Sequence, residues 1–515
     1  MIYSKSDVRN TFGGICVKRR MTFFILGYVM LLEAVFMLPA MLLCIFDGDM
    51  KAAGAFAIVM AILLAISIPL VLKKPDTKSF HSKEGFIIAA VSWIVLGVFG
   101  GLPFYISGEI PSVVDCLFES ISGFTTTGAS ILSNVEILPR GILLWRSFTH
   151  WIGGMGVLTF LLAVVTLAGG NSIYIMRAES PGPSPGKLVP KIRQTAKILY
   201  SIYIVMTVLE VIFLLAGGMP FFDSVVHAFG TAGTGGFSIK NASIAAYGSA
   251  YVDGVITAFM LLFGLNFNLY YFLLIKRFRE FAKSEEGRTY FAIVICAIIA
   301  ITINIFGTVY STIPEAIRYS SFQVASIMTT TGFATANFDM WPQLSRMVLV
   351  FLMFIGACAG STGGGIKVSR ILILYKMARR EIRRLIAPRS VEIVKIDGKQ
   401  ISSDITSATS MFFVIYMAIL AASVLVISIW GYDLETTITA VIACLNNIGP
   451  GLSMVGPTGN YAFFDTVSKL VLAFNMLAGR LEIFPILILI SPYGWQRRSK
   501  IKKLEKNIAS AELNR

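Results

Sequence analysis

Runs of about 20 mostly apolar residues recur along the whole chain, and each is long enough to cross the hydrocarbon core of a bilayer as one helix. Of the 515 residues, 56% are hydrophobic and 14% are charged, whereas soluble domains carry roughly 25% charged residues. The sequence therefore predicts an all-α polytopic membrane protein. We expect about ten crossings, at residues 23–46, 53–72, 86–106, 141–167, 198–216, 252–275, 291–310, 347–375 (interrupted), 411–430 and 467–490.

The net charge of +15 is spread unevenly along the chain. Clusters of Lys and Arg fall on alternate connections between the apolar runs, and the intervening connections carry only isolated charges. By the positive-inside rule, the basic connections and both termini face the cytoplasm. This pattern predicts a multi-pass protein of the inner (cytoplasmic) membrane, and it accounts for the basic charge through topology and the lipid bilayer, without nucleic acid. The basic clusters lie at residues 18–20, 73–74, 177–197, 276–288, 370–399 and 497–506.

Four segments on the outward connections share one pattern at intervals of roughly 100 residues, which indicates an internal repeat. Each has a half-length amphipathic helix signal, then small or hydroxyl residues, then a glycine. The aligned glycines are Gly128, Gly235, Gly332 and Gly449. The segments read VVDCLFESISGFTTTGAS (113–130), FDSVVHAFGTAGTGGFS (222–238), IRYSSFQVASIMTTTGFAT (317–335) and LETTITAVIACLNNIGPGLS (434–453).

With a crossing on each side, every segment predicts a membrane–pore-loop–membrane unit, and four such units predict a pseudo-fourfold arrangement. Two extra N-terminal helices lie outside the repeat. The third unit also contains VEIVKIDGKQI, in which Asp397-Gly398 is a hairpin-turn signal. The predicted divisions are an N-terminal two-helix extension (1–80), four pore repeats (81–190, 191–286, 287–403 and 404–495) and a cytoplasmic tail (496–515).

Backbone that is neither helix nor barrel is tolerated at membrane depth only where it is buried or lines a water-filled path. A single Thr-Thr-Thr-Gly is most simply a polar loop, but four such segments in register favour a lined path. Carbonyl oxygens from four strands around one axis can replace the hydration shell of K⁺, and glycine permits the required backbone angles. We predict a potassium selectivity filter formed by Thr126, Thr127, Gly128, Thr234, Gly235, Thr330, Thr331, Gly332, Asn447, Ile448 and Gly449.

These segments, together with WIGGMG (151–156), GSTGGGIK (360–367) and AGRLEIFP (478–485), resemble the Trk/Ktr/HKT superfamily of potassium transporters over nearly the whole chain. The two crossings before the first repeat make the bacterial TrkH/TrkG branch the most similar. In that family a glycine in all four filter segments goes with potassium preference. The second segment of this chain has Ala232 and Gly233 in place of threonines, and the fourth segment has Asn446-Asn447-Ile448.

The resemblance implies potassium uptake with K⁺ as the transported ion, and no catalytic activity. It also implies a homodimer and a cytoplasmic TrkA-like nucleotide-binding ring that gates the pore. Any NAD or ATP/ADP would then bind that partner, and no cofactor is expected in this chain. A sodium-permeable transporter or a cation-coupled symporter of the same fold is the alternative. A membrane hydrolase is disfavoured because His150, the only histidine within a predicted crossing, has no matched serine motif.

The eighth predicted crossing is interrupted by GACAGSTGGGIK (356–367), which contains five glycines. Glycine costs about 1 kcal/mol per helical position relative to alanine, so the helix should break there. By resemblance this is the intramembrane gating loop, with Gly356, Gly360, Ser361, Thr362, Gly363, Gly364, Gly365 and Lys367 as gate residues. A close helix contact through small residues is the alternative. A phosphate-binding loop is excluded, because Lys does not directly follow the second glycine of such a motif.

Arg480 stands near the middle of the last crossing, where an unpaired charge is costly and should face the protein interior. Glu482 is two residues away and does not share its helix face, so we expect the two side chains to point in different directions. The resemblance favours a pore-electrostatic role for Arg480 below the filter. A structural role, with Arg480 bonded to a carboxylate or carbonyl of another helix, is the alternative.

Six carboxylates lie where the outer mouth of the path is expected. They could concentrate cations there, or they could cap the half-length helices. The six are Asp115, Glu119, Asp223, Glu315, Asp433 and Asp465.

Overall fold

A computed structural model describes residues 19–75, 82–156, 192–388 and 393–491. Nearly all regular structure in these ranges is helical. The helices are α1 (Arg19–Phe46), α2 (Met50–Leu72), α3 (Ser82–Ile106), α4 (Val113–Phe124), α5 (Arg140–Gly154), α6 (Ile192–Ala216), α7 (Phe221–Gly233), α8 (Ala250–Phe263), α9 (Phe267–Leu274), α10 (Phe278–Lys283), α11 (Glu285–Ile305), α12 (Ile313–Met328), α13 (Gln343–Ile355), α14 (Val368–Ile386), α15 (Ser403–Ile427), α16 (Leu434–Leu445), α17 (Thr466–Arg480) and α18 (Phe484–Ile490). Short 3₁₀ turns occupy Ser243–Tyr247, Phe338–Met340, Ser428–Trp430 and Ser453–Val455.

Six of the described helices are long and apolar enough to span a membrane, namely α1, α2, α3, α6, α11 and α15. These match six of the predicted crossings. The predicted crossing at 252–275 is bent by 92° between α8 and α9. The crossings at 347–375 and 467–490 are also broken, into α13 and α14 and into α17 and α18. Residues 157–167 of the crossing at 141–167 lie outside the described residues.

The predicted fourfold repeat is present as four units of helix, half-length helix, irregular segment and helix. The half-length helices are α4, α7, α12 and α16, of 12 to 16 residues each. Their starts carry ordinary N-terminal signals: Ser112 accepts a hydrogen bond from the Asp115 amide, and Pro314 occupies the first turn of α12. The fold is therefore an all-α membrane protein with four membrane–pore-loop–membrane repeats and an added helix pair.

The added pair, α1 and α2, packs as a hairpin against α3 and α5. Asp49 caps α2 by accepting a hydrogen bond from the Ala52 amide at 3.0 Å. The hairpin shares one apolar core with the first and fourth repeats, in which Phe56 and Trp145 are fully buried. The extension thus supports the first repeat from outside the fourfold unit.

The predicted cytoplasmic hairpin consists of β1 (Lys395–Ile396) and β2 (Lys399–Gln400), paired antiparallel. Asp397 and Gly398 both have positive φ, 50° and 75°, as a two-residue type I′ turn requires. Asp397 also accepts a hydrogen bond from the backbone N–H of Glu285 at 2.7 Å, so the hairpin is attached to the start of α11.

Candidate ion pathway

Each half-length helix is followed within two residues by one residue in the left-handed backbone region. These residues are Thr126 (φ 57°), Thr234 (56°), Thr330 (61°) and Asn447 (56°). Two positions later each segment has a glycine, at Gly128, Gly236, Gly332 and Gly449. This common geometry aligns four short stretches, residues 125–128, 233–236, 329–332 and 446–449, which we call the ring segments.

The four glycines close a ring. A Cβ atom added to any of them would come within 3.0 Å of the backbone of the next segment: Gly128 against Gly236, Gly236 against Gly332, Gly332 against Ile448, and Gly449 against Gly128. Real Cβ atoms do not make such close contacts, so a side chain at any of these positions forces the segments apart. Glycine is needed here for the close approach of four backbones.

The structure corrects the predicted alignment of the second ring segment by one residue. Gly236, and not Gly235, takes part in the ring, and Gly235 matches Thr127 and Thr331 of the other segments. The sequence GTGGF offers two adjacent glycines, and spacing alone does not distinguish them.

The backbone carbonyl groups of the ring segments have few protein partners. From Thr126 to Gly128, and at the matching positions of the other segments, they accept no hydrogen bond from any described residue, with one exception. The carbonyl of Gly449 accepts one from the Tyr461 hydroxyl at 2.6 Å. Because buried backbone carbonyls are nearly always satisfied, these oxygens are suited to hold a partly dehydrated cation.

The threonine hydroxyls of the first and third ring segments brace the backbone. Thr125 donates to the carbonyl of Ile121 at 2.7 Å, and its hydroxyl lies 2.8 Å from that of Thr127. Thr329 and Thr331 repeat this pair at 2.8 Å. In the fourth segment Asn447 donates through its amide to the Thr127 hydroxyl at 3.0 Å. These side-chain groups are bonded within the protein, which leaves the backbone carbonyls of the same residues as the groups available to a cation.

A polar side chain six residues before each of the first three ring segments contacts the irregular stretch that follows that segment. Glu119 accepts hydrogen bonds from Ser130 and from the amide of Ile131, both at 3.0 Å. His227 lies 3.0 Å from the Ser238 hydroxyl, and Gln323 contacts Thr335. Sequence reasoning missed this role, although the position recurs at one spacing in three helices.

Arg146 is a buried partner that the sequence did not single out. Its guanidinium lies 2.5 Å from the Glu119 carboxylate and donates to the carbonyl of Ser238 at 3.0 Å. It also stacks 3.5 Å above the ring of Phe237. Arg146 therefore connects the first repeat to the irregular stretch that follows the second ring segment.

The glycine ring borders a cavity of about 170 Å³, lined also by Ser130, Ser238, Lys240 and Tyr461. None of the six candidate carboxylates is among the described residues that line it. Asp433 and Asp465 cap α16 and α17. Although burial acts to raise it, hydrogen bonds from the Thr436 hydroxyl and amide lower the pKa of Asp433 below its ordinary value.

The other four carboxylates also have local partners. Asp115 pairs with Lys469 at 2.7 Å, Asp223 accepts from the Tyr247 hydroxyl at 2.7 Å, and Glu315 accepts from the Thr312 hydroxyl at 2.9 Å. Glu119 forms an ion pair with Arg146. These contacts favour the structural interpretation of the six carboxylates over the concentration of cations.

The glycine-rich loop, residues 356–367, leaves α13 at Gly356 (φ 70°) and enters α14 after Lys367. Its amide at Gly364 donates to the Thr330 hydroxyl at 2.6 Å. A Cβ atom on Gly363 would lie 2.9 Å from the carbonyl of Thr329, and one on Gly364 would overlap the carbonyl of Asn446. The loop therefore contacts the third and fourth ring segments directly.

Several groups hold this loop in place. The buried Glu286 accepts hydrogen bonds from the amides of Ala359 (2.7 Å) and Ser369 (3.1 Å), on both sides of the loop. The amide of Phe267, at the bend between α8 and α9, donates to the carbonyl of Gly360 at 3.0 Å. Lys367 donates to the carbonyls of Gly363 and Gly364. The sequence predicted a broken helix here but gave no indication of Glu286.

Arg480 reaches carbonyl groups of two other segments. It donates to the carbonyls of Gly153 and Gly154 at the end of α5 and to that of Thr362 in the glycine-rich loop, the last at 2.8 Å. Glu482 forms an ion pair with Arg370. These carbonyl contacts are the ones that the structural alternative describes for Arg480, and they join the loop to the first repeat.

The helices, the fourfold repeat and the carbonyl-lined ring define a multi-pass membrane protein of the cation-transport class. Residues 54–496 match the family described as "TrkH: Cation transport protein", and the chain belongs to this family. Its members are transport proteins and not enzymes, so the chain is not an enzyme.

Individual relatives agree with this assignment. The chain is 36% identical to the Trk system potassium uptake protein TrkH of Salmonella typhimurium, over 90% of this chain and 99% of that protein. It is 31% identical to the Trk system potassium uptake protein TrkG of Escherichia coli K12, over 91% and 97%. The crystal structure of the potassium transporter TrkH from Vibrio parahaemolyticus superposes with a TM-score of 0.83 at 33% identity, over 93% of this chain and 99% of that one.

Proposed function

We propose that this chain is the membrane subunit of a potassium-uptake system, with the four ring segments as its selectivity filter. The proposal depends on the closed ring of Gly128, Gly236, Gly332 and Gly449, around which all the backbone carbonyls in the last three positions of each ring segment, except that of Gly449, accept no hydrogen bond from a described residue. The names of its relatives, potassium uptake proteins, support K⁺ as the ion.

Selectivity in this proposal arises from carbonyl oxygens that replace the hydration shell of K⁺. The threonine pairs and the Asn447 amide hold the carbonyl backbone in place from behind. The membrane potential, negative inside, drives a cation inward at about 2.3 kcal/mol per charge per 100 mV, so no coupled reaction is required energetically. The alternative is a sodium-permeable or cation-coupled transporter, and the test must distinguish it from potassium uptake driven by the membrane potential alone.

The glycine-rich loop is the proposed gate. It contacts the Thr330 hydroxyl and lies against Asn446, and both residues belong to ring segments. Its position there would block ions that leave the filter toward the cytoplasm. Arg480, bonded to Thr362 of the loop, would place a positive charge beside the same path and hold the closed position.

The regulator in this proposal is a cytoplasmic TrkA-like nucleotide-binding ring acting on a homodimer of this chain, with both termini cytoplasmic. The described structure supplies a connection for such control. The β1–β2 hairpin bonds to Glu285 through Asp397, and Lys376 of α14 pairs with the same Glu285. Glu286, the next residue, holds both sides of the glycine-rich loop. A partner that moves the hairpin would thereby move the gate.

Ion flux into liposomes containing the purified protein tests the proposed function. Under an inside-negative potential we expect K⁺ and Rb⁺ to enter and Na⁺ to enter much more slowly, because carbonyl cages of this kind fit the larger ions. Protein-free liposomes treated with a potassium ionophore control for the potential. Equal Na⁺ entry would support the sodium-permeable alternative, and flux that requires a proton or sodium gradient would support coupled transport.

A further inference from the structure

The second ring segment lacks the hydroxyl brace of the first and third. Where those segments have Thr125 with Thr127 and Thr329 with Thr331, the second has Gly233 and Gly235, which carry no side chain. Something else must hold this quarter of the ring, since loosely held carbonyls would adapt to a smaller ion.

His150 occupies the space behind the second segment. It lies on α5, in the preceding repeat, and is fully buried. A Cβ atom on Gly235 would lie 2.5 to 2.6 Å from three atoms of the imidazole ring, and one on Gly233 would overlap the His150 carbonyl. The two glycines therefore clear the space that His150 fills.

Both ring nitrogens of His150 are bonded to backbone groups, one in the first repeat and one in the second. The amide of Phe237, one residue after the second ring segment, donates to Nε2 at 3.2 Å. Nε2 must therefore be unprotonated, and Nδ1 carries the hydrogen that it donates to the carbonyl of Gly123, in α4, at 2.7 Å. The imidazole also packs on the Phe237 ring with centroids 4.3 Å apart.

We propose that His150 is a positioning residue for ion selectivity, substituting for the missing hydroxyl pair by fixing the second ring segment against α4. The proposal rests on the function proposed above, and it goes further by assigning discrimination between K⁺ and Na⁺ to a side chain outside the ring segments. His150 does not touch the ion; it acts through the backbone of Gly235 and Phe237.

The first test compares His150→Phe with Trp151→Phe, a control on the same helix whose side chain packs on Phe148 and Tyr203. His150→Phe keeps an aromatic ring but loses both hydrogen bonds, so the K⁺/Na⁺ permeability ratio should fall about fivefold. The free-energy change that corresponds to this factor lies within the usual net contribution of one hydrogen bond. His150→Gln, which offers a donor and an acceptor, should recover part of the ratio, and Trp151→Phe should leave it unchanged. An unaltered ratio in folded His150→Phe overturns the proposal.

The second test remains informative if His150→Phe does not fold. Gly235→Ala alone should impair selectivity because its Cβ atom meets the imidazole, and adding His150→Ala should restore part of it by removing that contact. Additive losses overturn the proposal. Gly332→Ser, measured in the same assay, distinguishes failure of the His150 proposal from failure of the filter assignment. If Gly332→Ser changes selectivity and the His150 variants do not, only the role of His150 fails. If Gly332→Ser has no effect, the filter assignment itself fails.

Discussion

Three threonines of the ring segments have left-handed backbone conformations. Each such conformation costs a conformational free energy of order 1–3 kcal/mol, and it persists only where surrounding contacts enforce it. Thr126, Thr234 and Thr330 are these residues, and all are buried. The left-handed residue ends the helical path of the chain and begins the ring segment, where the four backbones approach one another closely. The sequence singled out these threonines as filter candidates, but a threonine at positive φ cannot be read from residue type, because threonine ordinarily avoids this region.

Arg480 joins the glycine-rich loop to α5, and its removal should release the loop. Arg480→Ala should raise Rb⁺ flux roughly tenfold, because a hydrogen bond from a charged group to a carbonyl is worth about 1.5–3 kcal/mol. Arg480→Lys is the matched variant, since it keeps the charge but cannot bridge the carbonyls of Gly153, Gly154 and Thr362 together. An effect on expression alone, with flux per folded protein unchanged, would reduce Arg480 to a structural role.

Among the helices, the breaks are the informative feature. The five glycines of residues 356–367 made the interruption between α13 and α14 predictable, since each disfavours helix. The bend between α8 and α9 was not predicted, because residues 264–266 contain only one glycine and the apolar pattern continues through it. Its cause is tertiary: Gly264 and Phe267 bond to Cys358 and Gly360 of the glycine-rich loop.

Gly364 offers a substitution at the contact between the glycine-rich loop and the fourth ring segment. A Cβ atom there would overlap the carbonyl of Asn446, so Gly364→Ala should displace the loop from the ring segments and raise Rb⁺ flux about tenfold, given about 1–3 kcal/mol for overpacking. Gly254→Ala in α8 is the control, because a Cβ atom at that position meets nothing within 4 Å. Reduced or unchanged flux in Gly364→Ala would contradict the gating role of the loop.

For the whole molecule, hydropathy and the repeated segments were sufficient to predict the fold class and the fourfold arrangement. The candidate site was predicted less completely. Gly236 was missed because its neighbour is also glycine. Three further residues were missed or set aside, namely Arg146, His150 and Glu286. Their roles depend on contacts across 83 to 92 residues of sequence or on backbone groups of other repeats. In the sequence alone, such groups appear only as polar residues among apolar neighbours.

Joint selection of K⁺ by the four ring segments is tested by the K⁺/Na⁺ permeability ratio of Gly332→Ser in liposomes. Gly332 has φ 84°, and a Cβ atom there would overlap the carbonyl of Ile448 in the neighbouring segment. We predict that the ratio falls about tenfold while Rb⁺ flux persists, because overpacking of about 1.4 kcal/mol corresponds to that factor. A folded Gly332→Ser protein with the wild-type ratio would show that the ring segments do not set the selectivity.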